Sequence, residues 1–383
     1  MIEVLKIKMS SKIKNDDEIK YIIIFFRWKF YMAKRNLILG SVGLLLAFGS
    51  YQLLDTQMFD TQMFDTQMFD TQMFDIEQMQ DSKACTKPAG MAFIKGGTFT
   101  MGAGAVYPDE MPAIKTVVQD FYMDRHEVTN LQFSEFIEAT GYITIAQRIP
   151  NADDYPDIPA DLLIPGSAVF VKLSQAVGAA TFMNWWHFTE GANWNNPLGP
   201  DSNIKDKDHF PVIHIAYDDA LAYAKWKGNR LPTEAEFEFA SRGGIDGAKY
   251  ATGSSLTENG KYIANTWQGL FPFNDTAEDG YVGLAPVGCY PQNHFGIHDL
   301  IGNVWEWTQS IYYPRHFDPN QLPPNLPAKG YDAKQPGIAV GVIKGGSYLC
   351  ADDFCMRYRP AGRHAQDTGL GTSHIGFRTV KDL

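Results

Sequence analysis

Two cysteines five positions apart, Cys350 and Cys355, stand near the C-terminus in the run Lys344-Gly345-Gly346-Ser347-Tyr348-Leu349-Cys350-Ala351-Asp352-Asp353-Phe354-Cys355-Met356-Arg357-Tyr358-Arg359. Fully extended, the five steps would hold the two sulfurs roughly 17 Å apart. Joint use of the thiols therefore requires the intervening Ala-Asp-Asp-Phe to turn, which Asp favours by bonding nearby backbone. Two facing thiols make a disulfide, a redox pair or a soft-metal site, because thiolates select Cu(I), zinc or iron–sulfur clusters. Zinc asks for four protein ligands, or three and a water, and no His or Cys stands nearby at ligand spacing. A two-coordinate soft ion and an inert disulfide are both open on the residues alone, the disulfide being the ordinary outcome in an exported protein.

A second set of donors lies between 264 and 307: Asn265-Thr266-Trp267-Gln268-Gly269, Glu278-Asp279-Gly280-Tyr281 and Asp299-Leu300-Ile301-Gly302-Asn303-Val304-Trp305-Glu306-Trp307. Oxygen-bearing residues spaced through glycine-rich loops suit calcium, which takes six to eight oxygens including backbone carbonyls. There is no EF-hand loop, and solvated turn carboxylates account for the pattern equally well. The segment Asn184-Trp185-Trp186-His187-Phe188 with Gly191-Ala192-Asn193-Trp194 is either a loop-built core patch or a peptide-binding surface. His126 and Glu127 read as structural. Asp218, Glu234 and Glu236 have the chemistry of general acids and bases, but first-turn carboxylates ordinarily serve caps and the helix dipole.

The elements that must position these groups are legible in part. Ala92–Gly102 predicts two short strands around a Gly-Gly turn, and Phe121–Val128 another strand. Thr129 and Gln132 form a capping box for a helix with Phe133, Phe136 and Ile137 on one face and Gly141 past its end. Residues 142–204 read as irregular, and Phe210–Ile215 as a strand. Tyr217-Asp218-Asp219 opens a helix carrying Leu221, Ala224 and Trp226 that stops at Gly228. Thr233 and Glu236 cap the next helix.

Composition bounds the function. The chain has 383 residues with a formal net charge of -11 and a pI near 5.3, which argues against a basic face for nucleic acid or an anionic membrane. Residues 1–36 are basic and lead into an apolar run at 37–54, which as a helix would reach about 27 Å. It reads as a signal peptide or membrane anchor, so export of everything beyond it is expected. Residues 55–83 contain four copies of Thr-Gln-Met-Phe-Asp; a period of five fits neither strand nor helix, and the segment reads as a tether. The folded domain is expected over 84–383.

Several of these stretches together carry a resemblance. Gly-Gly-Thr-Phe-Thr-Met-Gly (96–102), Phe-Tyr-Met-Asp (121–124), Gly-Ala-Asn-Trp (191–194), Arg-Leu-Pro-Thr-Glu-Ala-Glu (230–236), Ala-Asn-Thr-Trp-Gln-Gly (264–269), Gly-Asn-Val-Trp-Glu-Trp (302–307), the cysteine segment and Ile375-Gly376-Phe377-Arg378 resemble the formylglycine-generating enzymes, the aerobic, copper-dependent sulfatase-modifying factors. That resemblance implies a single compact α+β domain with little regular secondary structure, similar to C-type lectin folds. It implies oxidation of a cysteine in a Cys-x-Pro-x-Arg motif of a sulfatase to Cα-formylglycine, using O2 and a thiol reductant. Cu(I) would be held by Cys350 and Cys355, with the substrate thiolate as third ligand and with Ser347 and Trp305 lining the catalytic pocket. Structural Ca2+ would be held by Asn265, Thr266, Asp279 and Tyr281 at one site and by Asp299, Gly302, Val304 and Glu306 at another. The implied partner is an unfolded or nascent sulfatase met by an exported monomer, with membrane contact only through the N-terminal segment and no nucleic acid. The alternative is a non-catalytic binding or envelope-assembly protein of the same fold, its cysteines a structural disulfide. A third reading, an iron-dependent sulfoxide synthase, lacks its His-x3-His-x-Glu motif: His209 and His214 have the wrong spacing. Three positions depart from the family pattern: Phe354 where a Tyr usually precedes the second cysteine, Ala351 for a His after the first, and His374 for an Asn.

Overall fold

Helix ends fall where side-chain chemistry places them in the computed structural model, which describes residues 85, 88–152, 159–174, 184–250, 253–318 and 322–383. The expected leader, anchor and repeat tether lie outside the described residues. Helix α1, Asn130–Thr140, begins with the Thr129 side chain accepting from Gln132 N, while Gln132 Oε1 accepts from Thr129 N at 3.0 Å. It ends at Gly141, whose φ of 65° is left-handed, a conformation that costs glycine least. Helix α2, Tyr217–Lys227, stops at Gly228, and α3, Glu234–Arg242, starts on the Thr233 and Glu236 box.

The strands sort into small sheets. The described residues from 85 to 152 and from 163 to 383 belong to one compact unit, described below; Ala160–Leu162, a single 3-10 turn, belongs to another. Strands β1 (Met91–Ile94) and β2 (Gly97–Met101) form as expected. They do not pair across the Gly-Gly step. β1 joins β4 (Phe121–Asp124) and β13 (Val380–Asp382), whereas β2 joins β3 (Ile114–Val118). Gly96 and Gly97 thus carry the chain from one sheet to another. The supposedly irregular stretch holds an antiparallel pair, β5 (Gly166–Phe170) and β6 (Trp186–Glu190), whose fifteen-residue separation hides it from local turn signals. β7 (Thr257–Glu258) and β8 (Lys261–Tyr262) form a short ladder. The expected strand at 210–215 reduces to one bridge between Thr129 and Pro211, as Pro211 brings no N–H to a ladder; Val212, Ile213 and Ile215 are buried nonetheless.

The sheet that matters for the site has the order β11-β10-β9-β12, from Arg363–Asp367, Val340–Lys344, Trp305–Ile311 and Ile375–Gly376. Its pairings are antiparallel except β12 with β9. β10 is buried along its whole length, as a central strand covered on both faces should be. Against this sheet packs an aromatic core centred on Phe133, whose ring meets Phe136, Trp194, Tyr223 and Phe377 at centroid distances of 5.3 to 6.3 Å. The same cluster includes Trp305, Trp307, Cys350, Tyr358 and Ile375. Each large ring contributes roughly 2–3 kcal/mol by burial, so the elements around the cysteine segment are held by the densest part of the core.

Candidate functional site

The glycine pair after β10 sets the site's backbone. Gly346 has φ of 76°, and a Cβ there would lie 2.8 Å from the backbone N and Cα of Tyr358; only glycine fits so close an approach. The chain then winds back: Cys350 N donates to Ser347 O at 2.9 Å, and Cys355 N to Ala351 O at 2.8 Å. Tyr348 N donates to Asn303 O, and Trp267 N to Cys350 O, tying the turn to both Gly-rich loops. The Asp-Asp turn closes as the spacing requires. Cys350 and Cys355 come into mutual hydrogen-bonding contact and both are free thiols. Ser347 bonds the Cys350 sulfur, and Trp305 lies in the same buried cluster as Cys350.

The pair is electrostatically asymmetric. Burial and donation to Cys355 push the Cys350 thiol well above its ordinary value. The bond from Cys350, followed by Arg357 and Arg359, draws Cys355 down against its own burial. The asymmetry makes Cys350 the donor and Cys355 the acceptor of the bond between the two sulfurs.

Charged residues that sequence reasoning passed over hold the downstream strand. Arg357 bonds both oxygens of Asp109 at 2.9 and 3.1 Å and lies 4.1 Å over the Tyr107 ring. Arg359 pairs with Glu110 at 2.6 Å, both side chains fully buried, and Arg363 forks onto Glu234 at 2.6 and 3.0 Å. Glu234 is therefore an ion-pair partner and not only a first-turn carboxylate: although burial acts to raise it, Arg363, His316 and Lys344 hold it well below the usual range. The only trace of this frame in the sequence is the alternation of Arg357, Arg359 and Arg363 with apolar residues.

An aromatic lip borders the turn. Phe354, half exposed, stacks on Phe271 at 4.2 Å and 10° and meets Trp185 edge-on at 5.8 Å. Trp186, next on β6, packs on His374 at 4.7 Å. Trp185 and Trp267 are buried, and their indole N–H groups have no hydrogen-bond partner among the described residues. A buried donor left unpaired costs about 1–3 kcal/mol.

The expected metal chemistry is corrected by this geometry. For Cu(I), the donors at Cys350 and Cys355 stop at two sulfurs, and among the described residues no three His, Cys, Asp or Glu side chains gather to hold a metal. The disulfide present joins Cys85 to Cys289, a pairing not foreseen, with the Tyr281 hydroxyl 3.2 Å from the Cys289 sulfur. The Ca2+ positions are likewise occupied by protein. Asp279 accepts from Thr266 N, Gln268 Nε2 and Tyr281 N at 2.8 to 3.1 Å. The Thr266 carbonyl accepts from Gln268, and Asn265 Nδ2 donates to Gly283 O and Asn303 Oδ1. At the second site Glu306 is forked by Arg378 at 2.7 Å through both oxygens, and Asp299 accepts from Gly288 N at 2.7 Å. Arg378 thus supplies the positive charge expected of a cation beside Gly302 and Val304. The residues do not fit the implied metals, and the copper-dependent, O2-using oxidase is set aside with its cofactors. The findings favour the alternative, a non-catalytic protein with a structural disulfide, the bridge being Cys85–Cys289 and not the C-terminal pair.

Comparisons with known proteins place this geometry. The sequence profile of the Sulfatase-modifying factor enzyme 1-like domain matches residues 77–383. The chain is 46% identical over 290 residues to the Formylglycine-generating enzyme of Mycobacterium tuberculosis, covering 76% of this chain and 96% of that one. It is 42% identical over 295 residues to the Inactive C-alpha-formylglycine-generating enzyme 2 of Mus musculus, covering 75% and 84%. Among solved structures, PvdO from Pseudomonas aeruginosa matches with a TM-score of 0.51 at 22% identity, covering 79% of this chain and 97% of that one. This last likeness supports the α+β fold with little regular structure; the expected similarity to C-type lectins gains no support from it. With four-fifths of its length matched by the profile, the chain belongs to the sulfatase-modifying factor family.

Proposed function

We propose that this chain is a non-catalytic, polypeptide-binding member of its family, which holds an extended sulfatase-like segment across the turn between Cys350 and Cys355. The observation that carries the reading is the joining of an aromatic lip, half-exposed Phe354 stacked on the buried rings of Phe271 and Trp185, to a thiol pair that belongs to no group of three His, Cys, Asp or Glu side chains among the described residues. An exposed aromatic ring suits an extended chain, which offers it apolar side chains to pack against. In this reading Ser347, Cys350 and Trp305 form the floor and Cys355 the accessible edge. A relative at 42% identity is itself named as inactive, which supports this reading.

The finer expectations belong to the same proposal. The domain over 84–383 is the binding unit, a monomer, carried on the tether at 55–83 behind the basic segment 1–36 and the signal or anchor at 37–54. The partner is an exported, unfolded sulfatase-like polypeptide met outside the cytoplasm, with no nucleic acid, and the membrane is touched only through the N-terminal segment. Among the described residues no helix is long and apolar enough to cross a membrane.

The test is fluorescence anisotropy with a labelled peptide containing Cys-x-Pro-x-Arg, titrated with the full chain, and the same sample followed by mass spectrometry. Saturable binding with an unchanged peptide mass is expected. No binding at any accessible concentration contradicts the reading.

A further inference from the structure

The geometry points to His364 as a specificity-determining residue of the polypeptide site, its Nε2 accepting a hydrogen bond from an N–H or O–H group of the bound chain. The inference rests on the polypeptide-binding reading above. His364 lies on β11, the edge strand of the main sheet, opposite Ile343 of β10. It is exposed to solvent while its sequence neighbours Arg363 and Ala365 are buried. Its ring stands edge-on to Trp305, with centroids 5.8 Å apart and planes at 77°, beside the cluster that contains Cys350.

The ring's hydrogen bonding decides what it offers. Nδ1 lies 2.7 Å from the carbonyl oxygen of Ala365. A carbonyl only accepts, so Nδ1 carries the hydrogen and, in the neutral ring, Nε2 is left with a lone pair. No hydrogen bond among the described residues uses that lone pair. Protein packed around the ring and the Arg357 guanidinium act to lower the imidazole, to an extent limited by its exposure to solvent, and both favour the neutral, accepting form. An anionic or purely accepting group finds no donor here, because the ring's one N–H is already engaged. A backbone N–H, a hydroxyl or the N–H of a basic side chain completes the geometry. Trp305 and the Ala365 carbonyl together fix the ring's plane and tautomer, which is how a single acceptor becomes selective.

The test uses the full chain with the labelled Cys-x-Pro-x-Arg peptide. His364→Phe keeps the ring against Trp305 and removes the acceptor; His364→Asn restores an acceptor on a smaller side chain. His364→Phe is expected to bind about five- to tenfold more weakly, as for one lost hydrogen bond, and His364→Asn to recover most of that loss. Histidine labelled with 15N gives a second readout: an Nδ1–H ring in the free protein, with the bare Nε2 resonance shifting upfield on peptide binding. Unchanged affinity in His364→Phe while the wild type binds, or an Nε2–H ring, overturns the assignment and leaves the polypeptide reading standing. Failure of the wild type itself to bind removes both. If His364→Phe does not fold, the spectrum of the wild type decides.

Discussion

Replacing Arg359 by methionine removes one half of a fully buried ion pair and tests how the cysteine strand is held. Arg359 and Glu110 are both 0% exposed in their side chains and meet at 2.6 Å. Arg359 also donates to Met356 O at 2.5 Å and Gly104 O at 3.2 Å. Breaking a buried pair from one side costs about 3–5 kcal/mol, because the remaining charge is left uncompensated. Glu110 keeps the backbone donors Val106 N at 2.7 Å and Tyr107 N at 3.2 Å and the Arg357 guanidinium at 3.8 Å, which soften the loss, so about 3 kcal/mol, the lower end of that range, is expected for Arg359→Met. That is a large part of the 5–15 kcal/mol typical of a whole domain. Urea unfolding followed by tryptophan fluorescence measures it. Arg359→Met combined with Glu110→Gln removes both charges and is expected to recover at least half of the deficit, giving a clear coupling energy. A single-variant cost below about 1 kcal/mol, or a double variant as unstable as the sum of the two singles, would refute the reasoning.

Other consequences follow from particular residues. Cys85→Ser opens a disulfide whose partners are 204 positions apart and is expected to cost about 2–5 kcal/mol in the same unfolding assay, whereas Cys350→Ser, at a free thiol, leaves the disulfide count unchanged by thiol titration. Burial raises Asp219 from 3.8 to about 6, so its protonated form is favoured in the folded state. The associated stability is present below pH 4 and is lost as pH rises through 6, by roughly 2–3 kcal/mol; Asp219→Asn flattens that part of the pH profile, and an unchanged profile contradicts the assignment. Phe354→Ala, at a half-exposed ring, is expected to change unfolding stability by about 1 kcal/mol or less yet to weaken peptide binding at least tenfold in the anisotropy assay, as loss of an aromatic anchor does.

Local chemistry was readable where it is decided locally. The capping boxes at Thr129 and Thr233 and the glycines that end α1 and α2 stand where the residue types demand them, and the Asp-Asp turn brings Cys350 to Cys355 as chain geometry requires. What depended on distant partners was not readable. The Gly96-Gly97 step looks like a hairpin turn, but β1 pairs with β4 and β2 with β3, although the buried residues of both strands share one apolar cluster. The donors at Asp279 and Glu306 look like calcium ligands until Gln268 and Arg378 are seen to occupy them. Arg378 lies 72 positions from Glu306, and no local pattern couples the two. Cys85 and Cys289 were visible as residues, but their pairing depends on a fold that brings together positions 204 apart. His364 carries no signal in sequence beyond its type; the edge of β11, Trp305 and the Ala365 carbonyl make it a candidate.

The most direct measurement is the fate of a Cys-x-Pro-x-Arg peptide held by the full chain under air, with a thiol reductant and with or without added copper, read by mass spectrometry after binding is verified by anisotropy. The account expects a bound peptide recovered with its cysteine sulfur intact in both samples. Loss of that sulfur to give an aldehyde would contradict it and return the Cys350 and Cys355 pair to oxidative chemistry.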